Sequence, residues 1–161
     1  AMASSPESIQ LLLSLNADPL IRSKLWHTPL HIAAGINNLE CLEMIAAKMK
    51  LIMVTDRMGW NALHHAAYKG CTDNVKYLIK KGIHPKHTDK KNRTPLHYAA
   101  LSGAIDLVSL LIESGAQVNA CDKLGLTPLH FAAMKSSSHV CKELVKFGAN
   151  LFSRSHIGNI P

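Results

Sequence analysis

Long apolar runs are missing from this sequence of 161 residues. No stretch reaches the roughly 18 consecutive apolar residues that a membrane-spanning helix needs, so no such helix is predicted. No secretory signal is recognisable ahead of the first apolar helical pattern. The opening residues Ala1–Ala3 are typical of a cloning remnant, and we set them apart from the fold.

Cysteine is scarce, with four residues: Cys41, Cys71, Cys121 and Cys141. No two of them form a C-x-x-C pair, and a chain of this length can bury a core without disulfides. The pattern therefore predicts reduced thiols and a protein of the cytoplasm or the nucleus.

Catalytic and metal motifs are also absent. The sequence has no G-x-S-x-G, no phosphate-binding loop and no H-E-x-x-H, so we predict neither an enzyme nor a cofactor. His84 and His87 are the best-spaced histidines outside the repeated motif described below, but no cysteine or carboxylate at ligand spacing accompanies them. Structural zinc takes four converging ligands, so no metal site is predicted.

Charge is unbalanced toward the basic side, with a net charge of +7 and a pI near 9.4. Six basic residues fall between positions 80 and 93: Lys80, Lys81, Lys86, Lys90, Lys91 and Arg93. Lys and Arg bind nucleic-acid backbones, but here the few aromatic residues do not interleave with the basic ones for base stacking. An acidic protein segment is the favoured partner, and nucleic acid or anionic lipid is the weaker alternative.

A four-residue motif recurs at intervals of 33 residues. Its copies are Thr28–His31, Asn61–His64, Thr94–His97 and Thr127–His130. In each copy the first residue can cap a helix, proline or alanine begins it, and the histidine can reach back to the cap. An alanine pair keeps this helix thin. A second apolar helix follows, and Gly82, Gly115 or Gly148 ends it in the left-handed conformation.

This pattern resembles the ankyrin repeat, and the resemblance covers nearly the whole chain. It implies an all-α solenoid of stacked helix-turn-helix units with β-hairpin fingers along one side. The predicted single domain spans residues 4–161. It divides into a partial repeat 4–22, complete repeats 23–55, 56–88, 89–121 and 122–154, and a partial repeat 155–161. The partial ends predict a piece of a longer array.

The first complete repeat departs from the pattern. Met49 stands at the glycine position, and apolar residues fill the loop from Lys50 to Val54. We expect this loop to pack against the neighbouring fingers, with an exposed apolar strip as the alternative. In the last complete repeat, Ser136–Ser138 replaces the usual Gly-His turn. We interpret it as a solvated turn, with a loop that can be modified as the alternative. The resemblance implies a hydroxylation site at Asn119, although a role in holding the turn is favoured.

The resemblance also implies a partner-binding concave face, built from finger tips and the first helix of each repeat. The residues in register with that face combine apolar and basic side chains. They are Arg57, Met58, Trp60, Tyr68, Lys69, Lys90, Lys91, Arg93, Leu101, Leu124, Leu126, Met134 and Lys135. Large aromatic residues often dominate binding energy, so Trp60 is the predicted anchor. The alternative is that these side chains pack finger to finger.

The sequence predicts a monomeric, non-catalytic module that binds an acidic and apolar protein segment, acting as a scaffold, adaptor or inhibitor. The alternative is a substrate-docking or regulatory segment of a larger enzyme or channel. The residues do not separate these two functions, because the chemistry of the second would lie outside them.

Overall fold

A computed structural model describes residues 6–161, and helices are its only regular secondary structure. The helices are α1 (Pro6–Ser14), α2 (Pro29–Ala34), α3 (Leu39–Ala47), α4 (Ala62–Lys69), α5 (Thr72–Lys80), α6 (Pro95–Ser102), α7 (Ile105–Glu113), α8 (Pro128–Met134) and α9 (Ser138–Lys146). The predicted remnant 1–3, and the start of the predicted partial repeat 4–22, lie outside the described residues.

The helices pack as two parallel rows. Helices α2, α4, α6 and α8 pack side by side in the inner row, and α1, α3, α5, α7 and α9 form the outer row. Each inner helix also packs on the outer helix that follows it in the chain. This arrangement is the stacked helix-turn-helix solenoid that the repeats predict, so the predicted fold class is confirmed.

The recurring histidines connect one repeat to the next. In α2, Nδ1 of His31 accepts the Thr28 amide proton at 3.0 Å and lies 2.9 Å from the Thr28 hydroxyl oxygen. Its Nε2 then donates to the Trp60 carbonyl at 3.1 Å, in the following finger. His97 repeats these contacts with Thr94 and Leu126. The predicted contact between histidine and cap is confirmed, and it leaves the ring fully buried.

Burial explains why these histidines stay neutral. Loss of water around the ring is the largest effect, and it lowers the pKa of His31, His64 and His97 to about 4. The uncharged ring is also the form that accepts a hydrogen bond at Nδ1 and donates one at Nε2.

The fingers are tight turns that line up along the array. In the second finger, the Asp56 amide donates to the Trp60 carbonyl at 2.8 Å and closes the turn. The Lys90 amide then donates to the Met58 carbonyl at 3.0 Å, which joins this finger to the next. The fingers are shorter than the β-hairpins expected, because one such bond per pair of fingers leaves no β-strand among residues 6–161.

Two kinds of position need the left-handed backbone. Gly82, Gly115 and Gly148 end the outer helices at φ values of 94°, 95° and 86°, which confirms the prediction. Gly59 sits at the finger tip with φ 83°, and a Cβ there would lie 3.0 Å from the Lys90 nitrogen. A side chain at Gly59 would therefore push the two fingers apart.

The irregular loop of the first repeat mixes the two expected arrangements. Met49 and Val54 are buried, and Ile52 and Met53 pack partly against the core. Leu51, in contrast, is 61% exposed. The loop therefore packs on the core for most of its length, with Leu51 as its exposed apolar residue.

The last residues form one more finger. The Ser155 amide donates to the Asn159 carbonyl at 2.9 Å, and the His156 amide donates to the Leu124 carbonyl at 2.9 Å. At the other end, the predicted partial repeat 4–22 contains α1, Pro6–Ser14. Across the part of the chain that the structure describes, every helix is too short to cross a membrane.

Candidate partner-binding surface

A buried aspartate organises each finger. Oδ1 of Asp89 accepts the amide protons of Lys91 at 2.7 Å and Arg93 at 2.9 Å, so it holds the turn. Oδ1 of Asp56 and Asp122 makes the equivalent pair of bonds. The second oxygen, Oδ2, remains for contacts with other side chains. We call these three groups the aspartate nodes.

Trp60 belongs to the node at Asp89. Its Nε1 donates to Asp89 Oδ2 at 3.0 Å, and the Tyr98 hydroxyl donates to the same oxygen at 2.5 Å. The Trp60 ring lies 4.3 Å from the Tyr98 ring and 5.5 Å from the Tyr68 ring, centroid to centroid. The predicted anchor is therefore half-buried and packs between fingers, as in the alternative interpretation.

Arg93 occupies the same position in the next finger. Its Nε donates to Asp122 Oδ2 at 3.0 Å, and its guanidinium lies 4.8 Å from the centre of the Phe131 ring. Burial alone would raise the pKa of Asp122, but hydrogen bonds from the Leu126 and Leu124 amides and from Arg93 hold it below its usual value. Leu126, one repeat further, is half-buried and packs against the core. The fifth position of each finger thus holds neighbouring repeats together.

The remaining predicted residues are mostly exposed. At the finger tips these are Arg57, Met58, Lys90, Lys91 and Leu124, and on the inner helices or directly after them they are Tyr68, Lys69, Met134 and Lys135. Leu101 is half-buried against the core. The Tyr68 ring on α4 lies 5.5 Å from the Trp60 ring of its own finger, centroid to centroid, so the fingers adjoin the inner helices. We call the surface formed by these tip and inner-helix residues the concave face.

Basic charge on the concave face is not neutralised by its own acidic residues. The three node carboxylates are buried and already hydrogen-bonded. Within residues 6–161, Arg57, Lys69, Lys90, Lys91 and Lys135 form no ion pair. Lys69 lies over the Tyr68 ring at 5.7 Å, so apolar and basic groups adjoin.

A histidine pair lies at the node of Asp56 and was not predicted from the sequence. His27 Nε2 lies 3.2 Å from Asp56 Oδ2, and His65 Nε2 lies 3.0 Å from the same oxygen. Burial is the main cause of a lowered pKa at His65, which Asp56 partly offsets. The signal was present in the repeat, since a donor stands 29 residues before each node aspartate and, at Asp56 and Asp89, another stands nine residues after it.

Two other predicted details have clear positions. His84 and His87 are exposed in a loop, where Nδ1 of His84 accepts the Lys86 amide proton at 3.2 Å. Asn119 donates to the Gly148 carbonyl at 3.0 Å and accepts the Asn150 amide proton at 2.8 Å. Asn119 therefore has a structural role, as favoured, but its side chain joins two repeats and does not hold its own turn.

Parts of this chain are similar to several known proteins. A probable 26S proteasome regulatory subunit p28 of Saccharomyces cerevisiae is 35% identical over 76 residues, which are 47% of this chain and 33% of that protein. The Notch-regulated ankyrin repeat-containing protein of Xenopus tropicalis is 43% identical over 54 residues, 34% of this chain and 47% of that protein. The human transient receptor potential cation channel subfamily A member 1 is 35% identical over 63 residues, 39% of this chain and 5% of that protein. The chain spans less than half the length of each.

A family model described as ankyrin repeats (3 copies) matches residues 1–89 and again residues 84–155. Proteins of this kind are generally interaction modules, and the fold itself is not a catalytic one. The 33-residue period, the two helix rows and the linked fingers agree with that match. The chain belongs to the ankyrin-repeat family.

Proposed function

We propose that this domain is a non-catalytic interaction module whose concave face binds an acidic and apolar segment of another protein. The observation that carries the proposal is the pairing of exposed apolar groups with basic groups that lack acidic partners on the same face. Met58, Tyr68, Leu124 and Met134 have exposed fractions between 44% and 62%.

The apolar groups supply the binding energy in this proposal. Burying exposed apolar surface is worth roughly 25 cal/mol per Å² before the cost of association is subtracted. Tyr68 and Met58 are the best anchors, since their side chains reach solvent, whereas the Trp60 indole is engaged by Asp89 of the next finger. We therefore move the proposed anchor from Trp60 to these two residues.

The basic groups supply selectivity. Lys90 and Lys91 occupy one finger tip, and Arg57 and Lys69 lie on the preceding repeat. Such charges steer an acidic segment into place and reject basic segments, with only modest effect on affinity at physiological salt. This distribution favours a segment that lies along repeats 56–88, 89–121 and 122–154.

Two other functions remain as alternatives. The chain could serve as a substrate-docking or regulatory segment of a larger enzyme or channel, and similarity to a proteasome regulatory subunit and to a cation channel is compatible with that. Nucleic acid or anionic lipid is the weaker alternative, and it would show a steep loss of affinity with added salt. For each function we propose a monomeric domain spanning residues 4–161, working in the cytoplasm or nucleus.

A pair of charge-reversed variants tests the proposal. Lys90→Glu/Lys91→Glu alters the concave face, and Lys80→Glu/Lys81→Glu makes the same change of charge at the end of the outer helix α5. Each variant is immobilised beside the parent and exposed to nuclease-treated lysate. The proposal predicts a protein that the parent and the α5 variant retain and the concave-face variant does not.

Equal retention on all three would contradict the concave face as the binding surface. If neither variant retained the protein, its binding would depend on the net charge of the domain and not on one site. Circular dichroism must first establish that each variant keeps its helices.

A further inference from the structure

The three aspartate nodes share one geometry but differ in chemistry. In each, Oδ1 is held by two finger amides, while Oδ2 contacts a side chain from the preceding finger. At Asp89 the partners of Oδ2 are Trp60 and, from the inner helix, Tyr98; at Asp122 the partner is Arg93, whose guanidinium lies over the Phe131 ring of the inner helix. Asp56 has His27 and His65 instead. The fold therefore accepts other residues at both histidine positions.

Imidazole differs from the other node side chains in having a nitrogen lone pair for a metal. Indole N–H, tyrosine hydroxyl and guanidinium act here as donors, but a neutral imidazole can move its proton to Nδ1 and coordinate through Nε2. At Asp56 both Nε2 atoms and one carboxylate oxygen converge, and all three lie within 4.8 Å of one another. This is the one such group of three among residues 6–161.

We propose that His27, Asp56 and His65 bind a divalent transition-metal ion of the zinc class, with further coordination positions open to solvent. Zinc bonds to nitrogen and carboxylate oxygen are about 2.0–2.2 Å long, so neighbouring ligand atoms of a tetrahedral site lie about 3.3 Å apart. The observed separations from Asp56 Oδ2 are 3.2 Å to His27 Nε2 and 3.0 Å to His65 Nε2. Small side-chain rotations would admit the ion.

The surroundings of the three ligands suit this role. Asp56 is oriented by the amides of Met58 and Trp60, which hold its other oxygen, as outer hydrogen bonds commonly hold metal ligands. The side chains of His27 and His65 are 25% and 16% exposed, so an ion can enter and water can complete its coordination. Imidazole and carboxylate together suit zinc, cobalt and nickel better than calcium or magnesium.

The bound ion would join three parts of the chain. His27 belongs to the first finger, Asp56 to the second, and His65 to α4. The metal would thus fasten the first complete repeat to the second, and this proposal is independent of the partner-binding face.

The neighbouring node supplies a matched control for the test. His27→Trp/His65→Tyr rebuilds at Asp56 the side chains found at Asp89, so it keeps the hydrogen-bond donors and removes the ligands. His84→Gln/His87→Gln removes the exposed histidine pair and leaves the node intact. Calorimetric titration of the tag-free chain with Zn²⁺ at neutral pH compares these variants with the parent.

The expected result is one Zn²⁺ per parent chain and per His84/His87 variant, with affinity at least about tenfold weaker in the node variant. Zn²⁺ should also raise the melting temperature of the parent and not that of the node variant. If His27→Trp/His65→Tyr does not fold, His65→Tyr alone takes its place. The converse variant, Trp60→His/Tyr98→His, is expected to bind a second equivalent at Asp89.

Three results would overturn the proposal. The parent could fail to bind one equivalent, the node variant could bind as tightly as the parent, or binding could disappear in the His84/His87 variant. The last outcome would assign the ion to the exposed loop.

Discussion

Two positions of the same finger have opposite roles. The fifth position, occupied by Trp60 and Arg93, faces the next finger and donates a hydrogen bond to its buried aspartate. The tip positions, occupied by Met58 and Lys91, face solvent. Residue type alone does not distinguish them, because a tryptophan and an arginine would both suit an interface. Only the direction of the side chain separates the residues that hold the solenoid from those free to bind.

The largest expected effect on stability comes from the buried histidines, whose Nε2 atoms bond the carbonyl groups of the fifth-position residues in the next finger. Their pKa of about 4 in the folded chain lies below the unfolded value of 6.5, so unfolding takes up protons between these values. Their contribution is complete above pH 6.5 and is lost as the pH falls toward 4. Each ring contributes up to about 3 kcal/mol, so the domain should unfold near the lower end of this range.

Urea unfolding at a series of pH values measures this effect. A midpoint that stayed constant from pH 7 to pH 4.5 would contradict the structural role of His31, His64 and His97. As a control, His97→Gln should lower stability at pH 7 but reduce its dependence on pH. The carboxylates of Asp56 and Asp122 interfere little, because their lowered pKa places their protonation at more acid pH.

Trp60→Ala should come next in size. It removes the hydrogen bond to Asp89 and the ring contacts with Tyr98 and Tyr68, so we expect a loss of about 3 kcal/mol in the free energy of unfolding. Met58→Ala, two residues earlier at the tip, should change stability by less than about 0.5 kcal/mol. Chemical denaturation of both variants measures the difference, and equal losses would refute the division between fifth and tip positions.

Arg93→Met and Lys91→Met sharpen the comparison within one finger. Arg93 is paired with a buried carboxylate, and its loss leaves Asp122 without that partner, so about 2 kcal/mol of stability should disappear. Lys91 has no ion pair within residues 6–161, and its replacement should cost less than about 0.5 kcal/mol. A thermal melt of each distinguishes them, and a reversed order would show that the pair with Asp122 contributes little.

The smallest effect on stability is expected for Lys90→Glu/Lys91→Glu. Both side chains are exposed, so the free energy of unfolding should stay within about 0.5 kcal/mol of the parent value. Partner binding should nevertheless fall. A parallel loss of stability and binding would mean that the variant acts by unfolding the finger.

Much of the fold was predictable because each repeated residue has a local task. The cap contact of His31 with Thr28 and the left-handed Gly82 both follow from helix-end chemistry, and both predictions are confirmed. The finger register also follows from the 33-residue period. The expected β-hairpins are not formed among residues 6–161, because a single backbone hydrogen bond between neighbouring fingers does not make a β-strand.

The candidate surface was less predictable because it depends on contacts between repeats. Trp60 and Arg93 were assigned to the partner-binding face, with packing between fingers as the alternative, since neither the period nor the motif shows that Oδ2 of the next aspartate is available to them. The convergence of His27, Asp56 and His65 was missed for the same reason, as these residues come from different repeats or elements. Comparing the residues 29 before and nine after each finger aspartate would have indicated both features.

Site-directed photo-crosslinking tests the central claim most directly. A photoreactive amino acid placed at Met58, on the concave face, is compared with one at Lys76, on the exposed side of α5. Both variants are illuminated with a partner that the parent retains and the Lys90→Glu/Lys91→Glu variant does not. We predict a crosslink from position 58 to an acidic and apolar segment of that partner, and none from position 76. A crosslink from position 76 alone would place the partner on the outer helices and contradict the account.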